Sequence, residues 1–64
     1  MIRLVVVPCD DEQGRTWDVE AREGRGDRLS HWTVAQCFRT RREAYAARDA
    51  IREDPESYGL PRSF

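Results

Sequence analysis

Phe38-Arg39-Thr40-Arg41-Arg42-Glu43-Ala44 is the stretch on which the fold turns. Thr40 and Glu43 have the spacing of a capping box, in which the Thr40 hydroxyl takes one orphan backbone N–H of a first helical turn and Glu43 reaches back to another. A helix therefore starts at about residue 41. It continues through Tyr45-Ala46-Ala47-Arg48-Asp49-Ala50-Ile51-Arg52-Glu53, mostly good helix formers. Asp54-Pro55 ends it, because the residue before a proline is pushed out of the helical region. The expected helix is 41–53. At about 100° per residue, Ala44, Ala47 and Ile51 share a small-residue face that lets the helix lie close on a sheet.

Upstream of this corner the period changes to two. Residues 16–23 place Trp17, Val19 and Ala21 on one side and Asp18, Glu20 and Arg22 on the other, the mark of a strand with one wet face. Gly24 and Gly26 break the pattern at a hairpin tip, and a further strand is expected over 29–38. There Trp32, Val34 and Phe38 face one way, and His31, Thr33, Ala35 and Cys37 the other. The β-branched run from Ile2 forms a first strand over 2–8, which Pro8 and the turn chemistry of Asp10-Asp11-Glu12-Gln13-Gly14 bring to a close. The fold class is α+β: a three-stranded antiparallel meander packed on one C-terminal helix, β-β-β-α, as a single domain over 1–64. The tail, 55–64, either frays or lays Tyr58, Leu60 and Phe64 back over the sheet.

A domain of 64 residues buries only about 60% of its unfolded surface, so each large apolar side chain that lands inside matters. Trp17 and Trp32 are both expected to be structural. The first strand is apolar on both faces, with Ile2, Leu4 and Val6 on one and Val5 and Val7 on the other, a pattern that asks for cover on both sides. One helix covers one face. As the edge of a meander this strand also offers unpaired backbone groups, and a homodimer is the expected resolution.

Charge excludes one class of partner as a default. Eleven basic and 12 acidic residues nearly cancel, so no global field attracts nucleic acid. All the basic residues are arginine, which suits forked, planar contacts and also follows from a GC-rich genome. The apolar start is too short for a signal segment or a membrane span, so a cytoplasmic location is expected, with Cys9 and Cys37 as free thiols. With one histidine, His31, two isolated cysteines and no ligand-sized pocket in so small a chain, no enzyme, metal, cofactor or small-molecule substrate is expected. Asp10, Asp11 and Glu12 lack the alternate spacing of a calcium loop.

The string Phe38 to Ala44 resembles the F-x-T-[KR]-[KR]-E-A element of the arm-type DNA-binding domain of tyrosine integrases, a three-stranded sheet with a helix behind it. Together with Val6-Val7-Pro8 and Trp17-Asp18-Val19 it is also similar to a family of short uncharacterised bacterial proteins that read V-V-P, W-x-V and F-x-T-x-x-E-A. The first resemblance implies a nucleic-acid-binding module of bacterial or phage origin. Against it, the wet face of the second strand carries Asp18 and Glu20, which repel phosphates.

Two candidate sites follow from helical geometry. Arg41, Arg48 and Arg52 fall within about 40° of one another on one flank, with Tyr45 beside them, a contact stripe of the residue types enriched at interface hot spots. Arg39, Thr40 and Arg42 surround the helix N-terminus, where exposed backbone N–H groups and guanidiniums form a possible anion site, for which Glu43 competes. The expected function is a small binding or regulatory module acting through a protein surface, with the nucleic-acid module as its alternative.

Overall fold

The computed structural model describes residues 2–61. Three strands, β1 (Ile2–Asp11), β2 (Gly14–Glu23) and β3 (Ser30–Phe38), are followed by one helix, α1 (Arg41–Glu53). The sheet is an antiparallel meander in the order β1-β2-β3, as the alternation of residues 16–23 and the strand-to-helix corner lead one to expect.

β1 is longer than the sequence suggests. Pro8 does not end it but pairs with Trp17, and the ladder runs on to Asp11↔Gly14 around a turn of only Glu12 and Gln13. An edge strand tolerates a proline because the side facing away from the sheet needs no N–H donor. The turn is held by the Gln13 N–H donating to Asp11 Oδ1 at 2.8 Å and by the Arg15–Asp10 ion pair at 2.9 Å. β2 accordingly begins at Gly14 rather than at residue 16, and β3 begins at Ser30 rather than at 29.

Trp32, Val34 and Phe38 share the sheet face that carries the core, as expected, but the strict alternation of β3 breaks at Ala35. Trp17 faces Phe38 and Val19 faces Ala35, so three steps along β3 match two along β2, and a second shift separates Val19 from Glu20, which faces Thr33. Irregularities of this kind bend a strand and re-aim its side chains. Val34 and Ala35 consequently both pack against the core, although they are sequence neighbours.

That core lies between the sheet and α1. Ile2, Leu4, Val19, Ala21, Ala44, Ile51 and Leu60 are buried, with Val6, Trp17, Val34, Ala35, Phe38 and Ala47 packed against them. Ala44, Ala47 and Ile51 thus form the inner helix face that their spacing requires. Trp32 does not join this cluster. It stands opposite Ala21 but remains 39% exposed, which corrects the expectation that both tryptophans are interior.

The chain after α1 folds back. Asp54 leaves helical geometry, and Pro55 opens a 3-10 turn over Pro55–Tyr58. Gly59 reverses the chain at φ 76°, in the left-handed region that glycine adopts at least cost. The Leu60 N–H then donates to the Pro55 carbonyl at 3.0 Å, and Leu60 enters the core. Tyr58 stays exposed, and Phe64 lies outside the described residues. The tail therefore supplies cover on the helix side. Val5 and Val7, on the other face, are half-buried.

Candidate binding surface

The outer flank of α1 is built from the helix upward. Thr40 is the N-cap, its hydroxyl oxygen accepting the Glu43 N–H at 3.1 Å. The reciprocal half of the box differs from the expected form. Glu43 does not reach the Thr40 backbone; its Oε1 accepts the Thr40 hydroxyl at 3.3 Å. Arg39 and Arg42 flank this N-terminus as expected and are exposed. The carboxylate beside them is that of Glu43, and the Thr40 side chain is already engaged with it.

Farther along the flank, Arg41, Tyr45, Arg48 and Arg52 lie on consecutive turns. Two of the arginines are stacked. The Arg48 guanidinium lies 4.7 Å from the Tyr45 ring centroid and is held from a second side by Asp49 at 3.0 Å. Arg41 lies 4.8 Å from the centroid of Trp17, a residue of β2. Helical spacing reveals Tyr45 as a neighbour of Arg48, but nothing in the linear sequence announces Trp17 as a neighbour of Arg41. That contact depends on how the helix crosses the sheet. Arg52, one turn past Arg48, is exposed.

Such stacks contribute about 0.5–1 kcal/mol each at exposed sites. Their larger consequence is order. An arginine loses considerable rotamer freedom on binding, and a guanidinium already fixed over a ring loses less. Trp17, Arg41, Tyr45 and Arg48 thus form a pre-ordered strip of Trp, Tyr and Arg, the residue types that carry most of the energy at protein interfaces.

The opposite face of the sheet has another character. Across the strands, Arg3, Arg22 and His31 stand in one row and Val5, Glu20 and Thr33 in the next. Glu20 accepts from Arg22 Nε at 2.9 Å and lies 3.6 Å from His31 Nδ1. His31 is at the hairpin end, six residues from Cys37 on the same strand, or roughly 20 Å at strand rise. Cys9 and Cys37 are exposed thiols on the two outer strands, with β2 between them, about 10 Å apart by strand spacing. A thiol and an imidazole do not converge. Among the described residues, no group of three or more His, Cys, Asp or Glu side chains has a metal-holding arrangement, and no helix is long and apolar enough to cross a membrane.

A cleft of about 570 Å³ opens at the hairpin end of the sheet, lined by Arg3, Arg22, Gly24, Arg25 and Leu29.

Fold and surface together define a class, a β-β-β-α module with an arginine–aromatic helix flank. Comparison with protein-family models, with curated proteins and with solved structures finds no match for the chain.

Proposed function

We propose that the chain is a small, non-enzymatic binding or regulatory module that acts through a protein surface, the flank of α1 that carries Arg41, Tyr45, Arg48 and Arg52. The observation that carries this reading is the pair of guanidinium stacks, Arg41 on Trp17 and Arg48 on Tyr45. They fix two long cationic side chains in place before any partner arrives. The module also pairs with itself, because β1 is an edge strand with apolar side chains on both faces. The partner complements the flank with carboxylates and apolar side chains.

The alternative is a nucleic-acid module similar to the integrase arm-type domains, since stacked arginines also suit phosphates and bases. A protein partner is favoured by charge. Asp49 already offsets Arg48, the cation at the centre of the flank, and the chain has a formal charge of −1. An electrophoretic shift with duplex and single-stranded DNA at low and at moderate salt separates the two. No retained complex at moderate salt is expected. Tight binding that weakens steeply with salt overturns the protein reading in favour of the nucleic-acid one.

A further inference from the structure

Arg3 and Arg22 face each other directly across β1 and β2. Like charges in that position are unfavourable, because the paired side chains start only about 5 Å apart. The strain is only partly offset within the protein. Glu20, the nearest acidic residue on this face, spends its carboxylate on Arg22 Nε at 2.9 Å, lies 3.6 Å from His31 Nδ1, and has a side chain only 17% exposed. Among the described residues, no carboxylate pairs with Arg3 or with Arg25.

The hairpin tip brings the third guanidinium to the same place. Gly24 sits at φ 101°, and a Cβ there would lie 2.3 Å from the Arg28 carbonyl oxygen, so only glycine lets the chain fold back this tightly. Arg25 then caps the 3-10 turn Gly26–Arg28, and the Arg28 N–H donates to its carbonyl at 3.0 Å. Leu29, 48% exposed, closes the cleft with an apolar wall. Three guanidiniums, a backbone without a side chain and one apolar side chain surround a single opening on the sheet face opposite α1.

We infer that this cleft is a second site, independent of the helix flank, and that it binds a phosphate monoester whose organic portion rests on Leu29. Three guanidiniums offer more N–H donors than a carboxylate's two oxygens accept in good geometry. A phosphoryl dianion has three terminal oxygens and the charge to relieve the Arg3–Arg22 repulsion. The apolar wall favours an ester over the free ion. The same phosphoryl chemistry is carried by soluble esters and by lipid headgroups, and the test separates them.

Backbone amide NMR of the full chain, titrated with phenyl phosphate, reads the site directly. Saturable shifts are expected at Arg3, Arg22, Gly24, Arg25 and Leu29, with weaker binding of inorganic phosphate and none of phenol. Arg3→Gln and Arg25→Gln, both at exposed positions, are each expected to weaken binding about tenfold or more while the amide dispersion of the fold is kept. Arg15→Gln, at the far turn and paired with Asp10, is expected to bind as wild type. Flotation with phosphatidylcholine vesicles, with and without phosphatidic acid, is the second arm. Capture only by the phosphatidic acid vesicles, lost in Arg3→Gln, assigns the site to a lipid headgroup; binding in solution alone assigns it to a soluble ester. The absence of saturable binding in both arms overturns the site, as do shifts centred on Thr40–Glu43 or unchanged affinity in both glutamine variants.

Discussion

Asp18 Oδ1 accepts the backbone N–H of Cys37 at 3.1 Å across the β2–β3 pair, and Cys37 holds φ 69°. A non-glycine residue in the left-handed region costs about 1–2 kcal/mol. The carboxylate that takes its N–H fixes the irregularity through which Phe38 comes to face Trp17. Asp18→Ala is expected to lose about 1.5 kcal/mol, the low end for a hydrogen bond to a charged group because the bond is solvent-exposed. Cys37→Gly is expected to melt at or above the wild-type temperature, and Cys37→Val well below it, since a β-branched residue resists positive φ. Thermal unfolding by circular dichroism checks all three. Equal melting of the glycine and valine variants would show that residue 37 is not held in this conformation.

The tryptophans are expected to separate in the same assay. Trp17 packs against the core and carries Arg41, so Trp17→Ala removes a side chain at about 3–5 kcal/mol, comparable to the stability of the whole domain. Trp32 lies outside that cluster, and its alanine variant is expected to lose only about 1–2 kcal/mol and to remain folded. Unfolding of both would place Trp32 in the core after all.

At the β1–β2 turn, Asp10 is held below the ordinary aspartate range, first by its hydrogen bond from Arg15 and then by the charge of that guanidinium. A carboxyl group depressed in the folded state adds stability above its unfolded pKa, and that stability is lost as pH falls through the folded value. Because the pair is fully exposed, the effect on folding is slight and the titration is the better readout. Arg15→Gln is expected to raise the Asp10 midpoint toward the ordinary value of about 3.9, followed by carboxyl-carbon NMR. A midpoint that does not move would mean the ion pair is absent in solution.

Self-association is expected from the form of β1. Its ten-residue ladder with β2 has no register shift, whereas the other edge, β3, is interrupted twice. Irregularities protect an edge and a long regular strand invites pairing. Sedimentation equilibrium at micromolar concentration is expected to give a dimer. A chain ending at Pro55 is expected to be less stable, because it lacks the buried Leu60. A monomeric full-length chain that associates only after this truncation would contradict the pairing.

How much of this was legible in the sequence depended on the range of the interaction. Thr40, Glu43 and Asp54-Pro55 act within a few residues of themselves, and they marked α1 at its observed bounds, Arg41–Glu53. The alternation of Trp17 to Arg22 was equally plain. Pro8 does not end β1, since whether a proline ends a strand depends on whether that strand is an edge. On β3 only Ala35 departs from its expected face, because the irregularity opposite Asp18 and Val19 depends on pairing across strands. The Arg3–Arg22 row required the register, which hangs on the two-residue turn at Glu12 and Gln13. The stack of Arg41 on Trp17 required the crossing of helix and sheet.

If the α1 flank is a protein-binding surface, two immobilised baits, the wild-type chain and Arg41→Gln/Arg48→Gln/Arg52→Gln, differ in what they retain from extract of the source cells. Loss of the two stacks lowers stability by only about 1–2 kcal/mol in total, so the triple variant is expected to fold, which circular dichroism verifies. Quantitative mass spectrometry is expected to find proteins retained by the wild type and lost from the variant. Retention of the same proteins in equal amounts by both baits would rule out the flank as the binding surface.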